Sequence, residues 1–164
     1  MKYYIISSVV CLVVSFVTNI NESHVKFLSK PKVVKQKTTV INDNTPFSPK
    51  ALKKALELYG IRNSDIVYRQ AILETGNFKS NIFLENNNLF GMKHPYIRRT
   101  TSLGRKRGHA KYSNWLDSVR DMKYFQEFYK PRIYGMHKGD YYSFLNDVYA
   151  TDQYYTIKLK QIDV

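Results

Sequence analysis

The sequence predicts a mainly α domain that carries one small β-hairpin. Three observations support this class. Apolar residues recur at helical spacing through most of the chain after residue 48. Helix-capping side chains, and glycines or prolines that end helices, stand at the boundaries of these stretches. One segment, residues 97–112, lacks the helical period and has a basic tip flanked by glycines, which is typical of a hairpin.

The first two helices are predicted from their ends. Ser48 is a suitable N-cap, a proline follows it, and Gly60 ends the first helix. The second helix begins after Asn63 or the following serine and runs to Glu74, and Gly76 ends it. These two boundaries place Glu74 at the C-terminal end of an apolar helix.

The remaining helices lie on both sides of the hairpin. A short helical turn is expected over residues 80–86. After the hairpin, a helix begins at Ser113 or the asparagine after it, and Pro131 stops it. Another helix follows Asp140, and the last follows Thr151 or the aspartate after it.

The N-terminal part of the chain has a different character. Residues 1–19 are predicted to be a signal peptide or membrane anchor, because Lys2 precedes an apolar run and no charge occurs until Glu22. Residues 20–47 are predicted to be a basic flexible linker, and residues 48–164 the folded domain. We therefore expect an exported protein, either periplasmic, in the cell envelope or extracellular, whose leader is either cleaved or kept as an anchor.

The charge balance indicates an anionic partner. The chain has 26 Lys and Arg against 13 Asp and Glu, a formal net charge of +13. Nucleic acid is disfavoured, because an export signal is present and the cations are spread over the chain. Anionic cell-wall or envelope polymers are the expected partners, with membrane contact only through the N-terminal segment, and we expect a monomer. The four histidines have no metal-ligand spacing, so neither a metal nor a cofactor is expected.

Glu74 is the first candidate for chemistry. Its neighbours Ile72 and Leu73 are apolar, so its carboxyl group should lie at the edge of the core. Partial burial raises the pKa of a carboxyl group, and the partial negative charge of a helix C-terminus acts in the same direction. A glycosidase acid needs such a retained proton. The alternative is an ordinary surface glutamate near a helix end.

The second candidate is the loop over residues 86–93, which has three asparagines before Leu89, Phe90 and Gly91. Amide groups can donate to and accept from sugar hydroxyl and N-acetyl groups. The alternative is a polar loop whose two apolar residues fill the core.

Four motifs, taken in order, resemble the glucosaminidase domain of glycoside hydrolase family 73. They are I-L-E-T-G-N-F-K-S at 72–80, N-L-F-G-M-K at 88–93, Y-S-N-W-L-D-S-V at 112–119 and Y-A-T-D-Q-Y-Y at 149–155. The resemblance covers essentially the whole domain. It implies a lysozyme-like, mainly α fold with a small β-lobe. It also implies cleavage of the β-1,4 bond between N-acetylglucosamine and N-acetylmuramic acid in peptidoglycan glycan strands.

The resemblance also implies the site residues. They are the general acid Glu74, the second catalytic residue Tyr149, and the substrate-binding residues Asn88, Phe90, Tyr112 and Trp115. For Tyr149 a core position at helical spacing from Leu145 is an equal alternative.

The sequence departs from the family in its acidic residues. Many relatives carry a second glutamate in the β-lobe, but this chain has no Asp or Glu between Glu85 and Asp117. The second catalytic group is then Glu85, Asp117 or the 2-acetamido group of the substrate. We favour the acetamido group, since Asp117 suits a helix first turn and Glu85 suits solvent. The basic hairpin could bind anions or could simply protect an exposed strand edge.

Three other functions compete with this interpretation. A lytic transglycosylase would use a lone glutamate on the same polymer and leave an anhydro-muramic end. A catalytically inactive wall-binding module would need no second carboxylate. A nucleic-acid binder would need a basic stripe on one recognition element, which the sequence does not have.

Overall fold

The computed structural model describes residues 40–164, and it confirms the predicted mainly α fold with one small β-hairpin. The predicted leader and most of the predicted linker lie outside the described residues. Within residues 40–164, none of the helices is both long and apolar enough to cross a bilayer. The elements are α1 Pro49–Leu58, α2 Ser64–Glu74, α3 Asn81–Asn86, β1 Gly104–Lys106, β2 His109–Lys111, α4 Trp115–Phe128, α5 Lys130–Ile133, α6 Lys138–Val148 and α7 Tyr155–Lys160.

Side-chain caps fix the starts of three helices. The Ser48 hydroxyl accepts from the Ala51 N–H at 3.1 Å at the start of α1. Ser80 caps α3 and Asn114 caps α4 in the same way. Asn63 differs, because its backbone is left-handed, with φ 52°, and its side chain makes no cap bond to α2.

Three helix boundaries differ from the prediction. Helix α7 begins at Tyr155, later than the predicted start after Thr151 or Asp152, because the chain first makes a turn in which the Tyr155 N–H donates to the Asp152 carbonyl at 3.0 Å. Helix α6 begins at Lys138, not after Asp140, because the Asp140 carboxylate sits at the third helical position and accepts from the His137 N–H at 3.2 Å. Helix α4 ends at Phe128, and Pro131 lies in the first turn of the short helix α5. A proline fits there because a first-turn N–H needs no helical acceptor.

The packed domain begins before Ser48. Residues 40–47, which the sequence assigns to the linker, lie on the domain surface. The Phe47 ring centroid is 4.7 Å from that of Phe83 and 5.6 Å from that of Trp115. The Trp115 indole N–H donates to the Thr45 carbonyl at 2.8 Å. A buried indole donor needs an acceptor, and this segment supplies it.

The hairpin is shorter than predicted. Its antiparallel register pairs Arg105 with Ala110, and the turn residues Arg107 and Gly108 both have positive φ, 53° and 74°. Positive φ at both turn positions matches the twist of a two-residue hairpin. Residues 97–103 are not strand, because their side chains bond to α4: the Thr101 hydroxyl donates to the Asp117 carbonyl at 2.6 Å.

A buried ion pair attaches this irregular segment to α4. Asp121 has no exposed side-chain surface, and its carboxylate accepts from Arg98 at 2.7 and 3.1 Å. The Tyr112 hydroxyl donates to the same carboxylate at 2.6 Å. Burial and the Asp121 charge raise the pKa of Tyr112 far above its usual range, so its hydroxyl remains a donor.

The core lies between α1, α2, α4, α6 and α7. Helix α2 packs against α1 on one side and α7 on the other. Its apolar residues Ile66, Val67 and Ala71 are fully buried. The C-terminal end of α2 is thereby held beside the loop that precedes the hairpin.

We expect Asp121→Ala to destabilise the domain by about 3–5 kcal/mol, because it leaves the Arg98 charge and the Tyr112 hydroxyl buried without their acceptor. Denaturant unfolding measures the free energy. The matched control is Asp147→Ala, whose carboxylate is 62% exposed in a surface pair with Arg132, and it should cost less than about 1 kcal/mol. Equal losses in the two variants would contradict a structural role for the buried pair.

Candidate active site

Glu74 is the last residue of α2, and its side chain is partly buried at one wall of an open cleft. One carboxylate oxygen, Oε1, accepts from the Tyr155 hydroxyl at 2.8 Å. The cleft has a volume of about 430 Å³. Residues that line it include Glu74, Gly91, Lys93, Tyr149, Asp152 and Tyr155.

Burial raises the pKa of the Glu74 carboxyl group above its usual range. The Tyr155 hydroxyl and, when its ring is protonated, His109 lower the pKa in part by stabilising the charged form. The net direction is upward, as the sequence predicts. The cleft therefore contains a carboxylic acid that keeps its proton to higher pH than an exposed glutamate does.

The backbone of Gly91 lies directly against the second carboxylate oxygen of Glu74, Oε2. This backbone is left-handed, with φ +63°, and a Cβ built on it would lie 2.5 Å from Glu74 Oε2. Any other residue would be strained in its backbone and would displace the carboxyl group. Glycine at this position thus sets the space in which Glu74 sits.

Asn88 holds the loop that carries Gly91. Its side-chain amide donates to the carbonyls of Met92 and Ala110, both at 2.9 Å. Its oxygen accepts from the N–H groups of Phe90 and Met92 at 3.2 and 3.1 Å. The side chains of Asn88 and Phe90 are almost fully buried. The geometry therefore favours a supporting role for the Asn88 side chain over direct contact with a ligand. Phe90, although buried, is among the residues that line the cleft, as the sequence predicts.

The sequence leaves open whether Tyr149 is a residue of the cleft or a residue of the core, and in the structure it is both. Its hydroxyl donates to the Phe90 carbonyl, and its ring packs edge-on against Phe125 at 5.5 Å. The ring is also stacked beside Tyr155, 6.0 Å between centroids, and lines the cleft. Burial raises the pKa of the Tyr149 hydroxyl well above its usual value, so the group stays a hydrogen-bond donor.

The structure does not bring Tyr112 and Trp115 into the cleft. Tyr112 is buried against Asp121, and Trp115 is 6% exposed and bonded to Thr45. Their hydrogen-bonding groups have partners within the domain. These contacts favour structural roles, at the base of the hairpin for Tyr112 and at the start of the domain for Trp115.

The chain matches a known enzyme family over the residues that form this site. The model of the family described as "Mannosyl-glycoprotein endo-beta-N-acetylglucosaminidase" matches residues 49–163. The chain belongs to the glucosaminidase family. It is therefore a glycoside hydrolase, and the resemblance found in the four motifs is confirmed.

This glucosaminidase is similar in fold to a solved structure. That structure is the catalytic domain of the autolysin Auto from Listeria monocytogenes, with 20% identity over 74% of this chain and 85% of that chain, and a TM-score of 0.45. None of the curated protein sequences compared with the chain matches it.

Two candidates for a second carboxylate in this glucosaminidase are held away from the cleft. Glu85 pairs with Lys106 and Arg107, each at 2.9 Å, and these hydrogen bonds lower its pKa. Asp117 accepts from Arg120 at 2.7 Å in the first turn of α4. Neither side chain lines the cleft that contains Glu74.

Sequence reasoning missed Asp152 and Tyr155, although both stand in the 149–155 motif. Asp152 lines the cleft, but its carboxylate accepts from Lys158 at 2.5 Å and from the Tyr154 N–H at 2.9 Å. The Lys158 bond is the main cause that lowers the pKa of Asp152. Asp152 is thus an ionised, paired carboxylate, while Tyr155 bonds to Glu74. The distance in sequence between Glu74 and this motif hid the contact with Tyr155 and the place of Asp152 in the cleft.

We expect Tyr155→Phe to raise the pKa of Glu74 further, because the hydroxyl that stabilises the charged carboxylate is lost. Carbon-13 NMR titration of the glutamate side chains measures this pKa. Tyr154→Phe is the matched control, because Tyr154 is adjacent and exposed, and it should leave the titration unchanged. A fall in the Glu74 pKa would contradict the assigned contact.

Proposed function

We propose that this glucosaminidase hydrolyses the β-1,4 bond between N-acetylglucosamine and N-acetylmuramic acid in peptidoglycan, with Glu74 as the general acid. The observation that carries the proposal is the partly buried Glu74 carboxyl group, with its raised pKa, at the wall of an open cleft. Such a group can retain a proton and deliver it to the oxygen of the leaving sugar.

The shape of the surface supports a polymeric substrate. The cleft shares Gly91, Lys93 and Tyr149 with a second cavity of about 290 Å³. That cavity shares Arg98 and Phe125 with a third, of about 300 Å³, which also includes Tyr96, Phe128 and Tyr129. A row of adjoining cavities with aromatic walls suits several consecutive sugars better than a single one.

The charge and the N-terminus support the same substrate. A net charge of +13 attracts the enzyme to an anionic polymer surface. The basic and apolar N-terminal segment supports export of the chain, or its anchoring, on the side of the membrane where the wall lies.

We further propose that the 2-acetamido group of the substrate is the nucleophile. Glu74 gives its proton to the glycosidic oxygen while the acetamido oxygen attacks C1, so that the C1–O bond breaks and an oxazolinium ring forms. The Glu74 carboxylate then removes a proton from water, which attacks C1, opens the ring and restores the acetamido group. The pairing of Glu85, Asp117 and Asp152 with cations supports a mechanism that uses one protein carboxylate.

We expect Glu74→Gln to lower the rate of wall lysis by about 10²–10⁴-fold, because glutamine cannot supply the proton. Turbidity loss of purified peptidoglycan and a zymogram measure the rate. Glu57→Gln is the matched control, because Glu57 is exposed and pairs only with Lys54 among the described residues. Equal clearing by wild type and Glu74→Gln would show that Glu74 is not the acid.

The products test the bond and the nucleophile in the same experiment. The proposal expects reducing N-acetylglucosamine ends in mass spectra, and retained anomeric configuration in NMR spectra taken early in the reaction. Anhydro-muramic ends would instead identify a lytic transglycosylase. An inverted configuration would exclude the acetamido group as nucleophile and require a base for the attacking water.

Gly91→Ala should lower wall lysis at least about tenfold, because the added Cβ would overlap Glu74 Oε2 and displace the acid. Gly76→Ala is the control: its φ of +53° is similar, but no atom lies within 4 Å of the added Cβ. Each alanine should cost about 1 kcal/mol of stability through its backbone, measured by thermal unfolding. If Gly76→Ala lost as much activity as Gly91→Ala, backbone strain and not the clash would be the cause.

A further inference from the structure

Lys93 is a cation of the cleft that forms no ion pair with a carboxylate in residues 40–164. Its side chain is exposed, and its Nζ lies 3.3 Å from His109 Nε2. The other cleft cation, Lys158, is paired with Asp152 at 2.5 Å. Glu74 is uncharged when it is ready to act as an acid. Lys93 is therefore a net positive charge beside the catalytic acid.

His109 holds Lys93 without neutralising it. His109 Nδ1 lies 2.9 Å from the Arg107 carbonyl, which can only accept, so Nδ1 carries the hydrogen. In the neutral ring Nε2 is then an acceptor, and it takes one of the three ammonium hydrogens of Lys93. Two hydrogens remain for a ligand, and the full charge remains with them.

We infer that Lys93 binds a carboxylate group of the substrate and so makes the enzyme prefer an acidic glycan to a neutral one. The inference rests on the proposed function and names its specificity. Lys93 lines both the cleft of Glu74 and the adjoining cavity, so the carboxylate belongs to a sugar next to the bond that is cleaved. In peptidoglycan it is either the lactyl carboxylate of a peptide-free muramic acid or a carboxylate of the attached peptide.

The test is a matched pair of substrates. Peptide-free glycan strands carry lactyl carboxylates, and the same strands converted to methyl amides do not. For Lys93→Gln we expect kcat/KM on the acidic strands to fall about tenfold, mainly through a higher KM. A tenfold change corresponds to the free energy of one charge-assisted hydrogen bond in an open cleft. On the amidated strands the fall should be less than about twofold. Lys93→Arg should restore much of the loss, because it keeps the charge.

Two controls separate local from general effects. Lys79→Gln removes the same charge from an exposed position outside the cleft, so it measures the loss of general attraction. Any change that Lys93→Gln makes in the acid strength of Glu74 affects both substrates equally, and therefore cancels in their ratio. The inference would be overturned if Lys93→Gln lost equal activity on the acidic and amidated forms of both the peptide-free and the peptide-bearing strands. It would also be overturned if Lys79→Gln and Lys93→Gln gave equal acidic-to-amidated ratios on both kinds of strand.

Peptide-bearing strands identify the source of the carboxylate. A Lys93 effect on peptide-free strands assigns the lactyl group, and an effect confined to peptide-bearing strands assigns the peptide; both support the inference. Calorimetric binding of the same glycans in a Glu74→Gln background gives the answer without turnover. Failure of the wild type to cut any of these strands would refute the proposed function, whereas charge-independent binding would refute the role of Lys93.

Discussion

The side chain of Asn88 holds together the part of the molecule on which the active site depends. Its four hydrogen bonds close the loop onto Phe90 and Met92 and join that loop to Ala110 of β2. The bent loop brings Gly91 against the Glu74 carboxyl group. Because the amide is buried, each lost bond would leave a polar group without a partner. The Asn88 side chain thus fixes the path of the loop, the attachment of the hairpin and, through Gly91, the position of the Glu74 carboxyl group.

The sequence predicted best the elements that depend on local interactions. The Ser48 and Asn114 caps, and the hairpin tip at Arg107, lie where their local patterns placed them. It failed for residues 97–103 because their conformation depends on Asp121, a buried residue at a distance in sequence that offers Arg98 a better partner than a neighbouring strand. The packing of Phe47 was missed for the same reason.

In the candidate site, too, the features set by local sequence could be predicted, and those set by long-range contacts could not. Glu74 could be found from its motif and from the apolar helix before it, and its raised pKa follows from burial. The directions of the Asn88 and Tyr149 side chains could not be found, because a loop or helix-end residue turns toward whichever partner the assembled fold provides. Both turn toward the loop backbone, and they act on Glu74 through the position of that loop.

The bond between Trp115 and Thr45 has a practical consequence. The chain contains one tryptophan, so its tryptophan fluorescence, excited selectively at wavelengths that tyrosine does not absorb, comes from a single, defined environment. That indole is buried and bonded to the segment that precedes α1. Release of this segment would expose the ring to water and move its emission to longer wavelength. The enzyme therefore contains an intrinsic optical reporter of whether the chain entering the domain is docked.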